Sequence, residues 1–462
     1  MKPFRFYIAS TSARGIKWIL PKFGYNATHF PGKVALKLCP NFLKYLEKPK
    51  ILIGVTGTNG KTTVVNMIGD ILKSKNIKYS SNALGSNIVE GVVTTLLSST
   101  TFNGKNKMEL GVFEIDERAS IKMFPYLKPD FLVITNLFRD SYRRNAHSEY
   151  ISNLLTQYIP STTKLIVNAE DIISSRVSPD NERVSFSLKR QEFEEDNRYS
   201  IIKDVTFCPC CDTKIEYDFV RYNHIGFLHC PNCGFTNINS DYIVEKIDYS
   251  NNTITINEHN KDFEYKLIGE NITDAYNMIS SIAACREIGL SHNDLQTAFE
   301  RMEIVTTRFE EKSFKSKKVV RLLAKGQNPV GTTRVLDYIR KQLPMWGKTV
   351  VVFNHEDLHT EDNRTEIENF AWLYDADFEY INQPDIIQII LVGFRTTDYV
   401  LRLATAGIDP TIIYSKRDSK ETYNIIKYNE LDTIVILYDT TNIEESKTMQ
   451  DMYIDKIKEV TK

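Results

Sequence analysis

Val55-Thr56-Gly57-Thr58-Asn59-Gly60-Lys61-Thr62-Thr63, set directly behind the apolar run Ile51-Leu52-Ile53-Gly54, is the stretch from which the rest of the chain is read. A β-rich run, a glycine-rich turn and a Lys-Thr pair opening a helical pattern predict a phosphate-cradling turn between a buried strand and a helix. Small glycines let backbone N–H groups crowd the β- and γ-phosphates, Lys61 supplies a point charge, and the Thr62 hydroxyl completes the shell of a magnesium ion. ATP is the expected ligand, contacted by Gly57, Thr58, Asn59, Gly60, Lys61, Thr62 and Thr63. The spacing departs from a strict GxxxxGK[ST], because Val55 stands where the first glycine would be. In the bland alternative the glycines only make a tight turn, and the order strand, loop, Lys-Thr, helix argues against it.

At 462 residues the chain exceeds what a single core serves, so two or three domains are expected. Hydrophobic content of 42% and charged content of 25% are those of a globular protein. A net charge of -1 gives no electrostatic case for nucleic acid or for an anionic membrane. No run of roughly eighteen apolar residues occurs, and the basic start from Met1 to Leu20 lacks the apolar core of a signal peptide, so the cytoplasm is the expected location. The short basic runs Tyr142 to Arg144 and Lys315 to Lys318 read as solvated surface.

Seven cysteines are present, and four fall as Cys208-x-x-Cys211 and Cys230-x-x-Cys233 with eighteen residues between the pairs. That is zinc-ribbon spacing: two short knuckles each present two thiolates to one tetrahedral ion, and four thiolates leave no open position, so the expected zinc is structural. Cys210 is a spare thiol within the first knuckle, while Cys39 and Cys285 sit in apolar surroundings and read as core residues.

From about residue 50 to 170, β-rich runs alternate with helical ones, as a parallel sheet with crossover helices requires. Expected strands are Ile51 to Val55, Leu110 to Ile115, Phe131 to Thr135 and Leu165 to Asn168, with a helix from Thr62 to Ser74. A Cys-, Asn-, Gly- and Tyr-rich stretch at about 204–240 reads as an insertion, after which the sheet resumes at Thr253 to Ile256. Asp274 to Gly289 has helical spacing and a glycine stop. Beyond residue 305 the expected strands are Val319 to Leu323, Thr349 to Phe353, Phe378 to Ile381, Ile387 to Val392, Thr411 to Tyr414 and Thr433 to Leu437, with a helix from Thr333 to Gln342.

Glu114 closes a buried strand, where a carboxylate is aimed at the crevice above the phosphate loop, and is the favoured magnesium ligand. Asp116 shares its side of the strand at period two, so Asp116 or Glu117 is the alternative ligand, and a solvated strand end is the bland one. Thr135-Asn136-Leu137-Phe138-Arg139-Asp140 follows another strand of the same sheet, which makes Asn136, Arg139 and Asp140 acceptor-side candidates. His355 and His359, with Glu356, Asp357 and Glu361, form a possible metal cluster; a solvated acidic loop is preferred.

The TGTNGKTT form of the loop resembles that of the Mur ligase superfamily of ATP-dependent acid–amine ligases. Pro31 to Lys37, Asn87 to Gly91, Phe113 to Glu117 and Thr135 to Asp140 are similar, in their order, to motifs of the MurT family, the Mur-ligase-like subunits of lipid II isoglutaminyl synthases. So are the four ribbon cysteines, Arg301 to Glu303, Leu323 to Lys325, Asn328 to Gly331, Trp372 to Glu379, and Gly393 to Arg395 with Arg402-Leu403. The resemblance implies an N-terminal segment over 1–48, a Mur ligase central P-loop ATPase domain over 49–305 with an inserted zinc ribbon, and a C-terminal Rossmann-like α/β domain over 306–462. It implies that ATP phosphorylates the D-glutamate α-carboxylate of the lipid II stem peptide and that ammonia from a GatD-like glutaminase partner displaces phosphate. Lys61, Thr62 and Glu114 would serve phosphate and metal, Asn277 the adenine side and Arg301 the phosphate or ribose side.

Departures from the family cluster where specificity is decided. The run Arg139 to Glu149, with Arg143 and Arg144, departs from the family's, a carboxylate being exchanged for a base; Ser280 replaces a second asparagine, Glu300 a glycine, and Gly326 and Gln327 are inserted. The family places an aspartate three residues before Trp372, the candidate acid lent to the glutaminase; here Asn369 takes the slot, with Asp362, Glu366 and Glu368 upstream as substitutes. Two rivals follow: a divergent paralogue that amidates or ligates another carboxylate, and a nucleotide-binding assembly subunit without turnover.

Overall fold

The computed structural model describes residues 2–83, 86–140, 147–302, 309–324, 326–359 and 369–461. The chain divides into two compact units: Met1–Phe138, His147–Arg198 and Asp204–Ile304 form the first, and Arg139–Ala146, Tyr199–Lys203 and Val305–Lys462 the second.

The first unit opens with helices α1 (Phe4–Ile19), α2 (Phe30–Leu38) and α3 (Phe42–Tyr45). There follow β1 (Ile51–Thr56), α4 (Lys61–Ser74), β2 (Tyr79–Ser81), α5 (Val89–Ser99), β3 (Leu110–Glu114), α6 (Ser120–Leu127), β4 (Phe131–Ile134), α7 (Ser148–Tyr158), β5 (Lys164–Asn168) and β6 (Arg183–Leu188). A hairpin of β7 (Glu216–Tyr222) and β8 (Ile225–His229) precedes β9 (Tyr242–Asp248), β10 (Thr253–Glu258), β11 (Lys261–Lys266), α8 (Ile272–Glu287) and α9 (His292–Arg301).

Among the described residues this unit has a nine-stranded sheet in the order β11-β10-β9-β6-β5-β4-β1-β3-β2, parallel from β2 to β9 and antiparallel across β9, β10 and β11. β1 lies between β3 and β4 and is buried from Leu52 onward, which explains its unbroken apolar run. Gly54 is required there, because a Cβ would stand 2.9 Å from the methyls of both Ile115 and Leu132. The first helices are part of this core: Phe6 and Phe42 are fully buried and stack at 4.9 Å. α8 starts on a capping box of Asn271 and Asp274 and stops at Gly289, whose φ of +93° suits glycine.

The second unit contains β12 (Phe309–Phe314), β13 (Lys317–Leu323), α10 (Pro329–Trp346), β14 (Thr349–Asn354), β15 (Ile386–Val392), α11 (Thr396–Thr405), β16 (Ile413–Lys416), β17 (Thr433–Tyr438) and α12 (Ile443–Val460). Its sheet runs β12-β13-β17-β14-β15-β16, parallel except for β12. Leu336, Ile339, Tyr399 and Leu403 from α10 and α11 cover one face, and Met449, Tyr453 and Ile457 from α12 the other. This is a doubly wound layer.

Two expected strands in this unit are corrected. Phe378–Ile381 is a short 3-10 turn. Its apolar residues are buried at a spacing of three, and Arg402, itself buried, clamps the turn through Glu379 Oε2 at 2.7 Å and the Ala376 carbonyl at 2.8 Å. Thr411 also lies outside a strand, because the Asp409 carboxylate accepts its N–H at 2.9 Å and holds a turn through Pro410, so β16 starts two residues later. His355 is not part of a solvated loop either: it is fully buried, with Nδ1 3.0 Å from the Tyr399 hydroxyl. Burial pushes its imidazole down to about 4. Glu361 and the acid candidates Asp362, Glu366 and Glu368 lie outside the described residues, as do Arg143 and Arg144.

Candidate nucleotide site and cysteine cluster

The turn between β1 and α4 is braced from the loop that follows β4. Thr58 N–H donates to the Asn136 carbonyl at 2.8 Å, and Asn59 N–H donates to Asn136 Oδ1 at 3.0 Å. The Asn136 amide and the Thr135 hydroxyl both donate to the Asn59 carbonyl, at 3.1 and 2.7 Å. Phe138 N–H donates to the Thr58 hydroxyl at 2.9 Å. Gly57 and Gly60 have φ of +124° and +88°, and a Cβ on either would run into Thr135 or Asn277 respectively. Asn277 therefore sits side by side with Gly60, on the buried face of α8.

Lys61 opens α4. Its ammonium donates to Glu117 Oε1 at 2.9 Å, to the Thr58 carbonyl at 3.3 Å and to the Gly57 carbonyl. Burial pushes the Glu117 carboxyl above its ordinary range against the pull of Lys61. Thr62, exposed at the next position, donates its hydroxyl to Glu114 Oε2 at 2.7 Å. The other Glu114 oxygen accepts from the Asn87 amide at 3.0 Å, and Asn82 bonds both the N–H and the carbonyl of Glu114, at 2.8 and 2.9 Å.

The two alternatives to Glu114 have separate tasks. β3 ends at Glu114, so period two does not carry on to Asp116, which caps the next turn through the N–H groups of Arg118 and Ala119. Glu117 is the partner of Lys61. Arg301, the last residue of α9, is exposed. Thr63 lies in the first turn of α4. Within the second unit Arg139 pairs with Asp375 at 3.3 Å, Asp140 is half-buried, and Asn369 is exposed with its Oδ1 accepting the Ala371 N–H at 2.9 Å.

Cys208, Cys211, Cys230 and Cys233 bring their sulfurs within 4.8 Å of one another. The two knuckles repeat one geometry. Cys208 N–H bonds the Thr213 carbonyl and Cys230 N–H the Phe235 carbonyl, both at 2.7 Å, while Asp212 and Gly234 return to Cys208 and Cys230 with φ of +55° and +71°. Cys210 N–H donates to Cys208 Sγ at 3.4 Å, and the Cys210 side chain is exposed. Cys39 and Cys285 are buried in the core.

The hairpin that carries this cluster is anchored in buried charge. Arg221 lies 3.1 Å from Glu170 and 2.5 Å from Glu194, and His224 Nε2 is 3.0 Å from Asp171 Oδ1. Asp171 Oδ2 in turn accepts Leu137 N–H at 2.8 Å, so the hairpin also fixes the loop that braces Thr58 and Asn59. Sequence reasoning did not find Asn82, Asp171 or His224, and gave Asn87 no task. The available signal was the polar turn Asn168 to Asp171 at the end of a strand in the same sheet.

Residues 55–207 match the family described as Mur ligase middle domain, and residues 325–443 the family described as MurT ligase C-terminal. The chain is 29% identical over 410 residues to the lipid II isoglutaminyl synthase (glutamine-hydrolysing) subunit MurT of Staphylococcus aureus, covering 88% of this chain and 89% of that one. It is 27% identical to the MurT subunit of Streptococcus pneumoniae, covering 95% of each. Among solved structures it matches a pseudomurein peptide ligase type C from Methanothermus fervidus with a TM-score of 0.63 and 18% identity, over 89% of this chain and 80% of that one. The chain thus carries, in this order, a region that matches the Mur ligase middle domain and one that matches the MurT ligase C-terminal domain, and it is similar over most of its length to MurT subunits.

Proposed function

We propose that this protein is an ATP-dependent carbon–nitrogen ligase of peptidoglycan synthesis that amidates the D-glutamate α-carboxylate of the lipid II stem peptide. The observation that carries the reading is the joining, in one chain, of the braced β1–α4 turn to a MurT ligase C-terminal domain. Relatives of that build are named as subunits of a glutamine-hydrolysing lipid II isoglutaminyl synthase.

A carboxylate is a poor acyl donor because its leaving group is oxide. In the proposed reaction one carboxylate oxygen attacks the γ-phosphorus of ATP, giving an acyl phosphate and ADP. Ammonia then attacks the carbonyl carbon, the bond to the phosphate oxygen breaks, and phosphate leaves with the former carboxylate oxygen while the nitrogen loses a proton. The N–H groups of the first α4 turn hold the β- and γ-phosphates, and Lys61 exchanges Glu117 and the Gly57 carbonyl for phosphate oxygens as charge develops. Thr62 and Glu114 fit magnesium: a hydroxyl and a carboxylate 2.7 Å apart, the latter oriented by Asn82 and Asn87, are hard oxygen donors. Bound magnesium supplies charge neutralisation on the transferring phosphoryl group. Asn277 is assigned to the adenine side, Arg301 to the phosphate or ribose side, and Asn136, Arg139 and Asp140 to the acceptor side, Asn136 through its hold on Asn59.

Four cysteine sulfurs in paired knuckles fit a structural zinc, which would tie the two knuckles of the insertion to each other. Ammonia is assigned to a GatD-like glutaminase partner. Asn369 holds the slot of the acid lent to that partner, and an amide does not stabilise an imidazolium as a carboxylate does. That slot favours a second reading, in which a divergent paralogue amidates or ligates another carboxylate with free ammonia or an amine.

The test is phosphate release and amide formation by the purified protein with lipid II, ammonium, magnesium and ATP. Turnover that depends on lipid II and is lost in Lys61→Ala supports the proposal. Phosphate release that responds to another carboxylate and not to lipid II supports the second reading, and no release with any acceptor overturns both.

A further inference from the structure

The outer face of α1 is apolar and uncovered. Phe4, Ile8, Trp18 and Ile19 are exposed and fall within about 100° of the helix circumference, and the face continues into Phe23 and Tyr25. Trp18 is 67% exposed and Phe23 73%, whereas Phe6, Ala9 and Ala13 on the opposite face are buried. A globular domain does not leave this much clustered aromatic surface in water without a use for it.

The charge around the face selects its occupant. The first 48 residues hold nine Lys or Arg and one Asp or Glu, a net +8 in a chain whose total is -1. The whole-chain sum, on which the expectation of no electrostatic case for an anionic membrane rests, conceals this asymmetry. Arg14 and Lys17 are spent on Thr100 and Ser98 of the same unit, but Arg5, Lys22, Lys33 and Lys37 are exposed, and Lys22 lies over the Trp18 ring. Large aromatics interleaved with lysines are the composition of a surface that sits between hydrocarbon and headgroups. A protein partner would have to be strongly acidic and apolar at once, which an anionic bilayer already is. α1 is 16 residues long, about 24 Å, and no helix among the described residues is long and apolar enough to cross a membrane.

We propose that α1 and the turn after it dock in the interfacial layer of an anionic lipid bilayer. The docking stands independently of the ligase reading, which it would serve by holding the nucleotide site near a lipid-linked acceptor.

Trp346 and Trp372 are buried, so the polarity response of the three tryptophans reports on Trp18. The full-length protein is mixed with vesicles of phosphatidylglycerol in phosphatidylcholine and, separately, of phosphatidylcholine alone. The expected result is a blue shift of Trp18 and cosedimentation with the anionic vesicles, weakened at least about tenfold by about 0.5 M salt and by the triple variant Lys22→Glu, Lys33→Glu, Lys37→Glu. Phe23→Ser weakens binding to the anionic vesicles in the same way. Binding of an ATP analogue, unchanged in these variants, shows that they fold. The proposal is overturned if the anionic vesicles give no shift, if both vesicle types bind equally and charge reversal has no effect, or if Phe23→Ser abolishes a concentration-dependent self-association instead.

Discussion

The β1–α4 turn and the segment leading to Trp372 are the two places where the proposed reaction needs a positioned polar group, and they are built in opposite ways. In the first, each side chain assigned to phosphate or metal is held from β3 or from the loops that follow β2, β3 and β4: Lys61 by Glu117, Thr62 by Glu114, Glu114 by Asn87, and the turn itself by Asn136. In the second, Asn369 is exposed and its oxygen is spent on a residue two positions away. The proposed phosphoryl chemistry is thus preorganised within the first unit, whereas the proposed aid to the glutaminase rests on the exposed Asn369, which a partner has to complete.

Breaking the preorganised side has the largest expected effect. Lys61→Ala lowers turnover about 10²–10³-fold, since the lost interaction is with developing charge, and it also lowers the melting temperature, because the buried Glu117 carboxyl loses its partner; steady-state phosphate release and a thermal melt check both. On the other side of the comparison, the second unit carries a buried neutral group in His355. Its folded-state value of about 4 lies below the unfolded value of about 6.5, so the unfolded chain binds the proton first and stability falls as pH drops from 6.5 to 4. The loss reaches about 3 kcal/mol, and urea titrations of wild type and His355→Gln show it as the difference between their slopes against pH.

Two smaller effects sharpen the contrast. Glu114→Gln raises the magnesium concentration needed for half-maximal turnover about 10–100-fold and leaves the loop intact, because Asn82 still holds the backbone of that residue. Asn369→Asp raises glutamine hydrolysis by the reconstituted complex about tenfold. That gain is well below the roughly four orders of magnitude that the reverse exchange costs in a serine protease triad, where the acid is fixed inside its own fold.

The strand, turn and helix of the proposed phosphate side are legible in the chain because their signals are local. Ile51 to Thr63 gives strand, turn and helix within thirteen residues, Glu114 ends an unbroken apolar strand, and the cysteine spacing needs no tertiary knowledge. The braces were not readable, because they join residues far apart: Asp171 to Leu137, His224 to Asp171, Asn82 to Glu114. Phe378 to Ile381 misled because β-favouring residues are set at a spacing of three, in a 3-10 turn held by its own backbone hydrogen bonds and clamped by the buried Arg402. The basic apolar face of α1 was lost in a charge summed over the whole chain.

The most direct test of the central claim labels the acceptor. With ¹⁸O in the carboxylate of the D-glutamate residue, activation by the terminal phosphoryl group predicts that one labelled oxygen per turnover leaves in inorganic phosphate. Phosphate released without the label while amide accumulates would contradict the account.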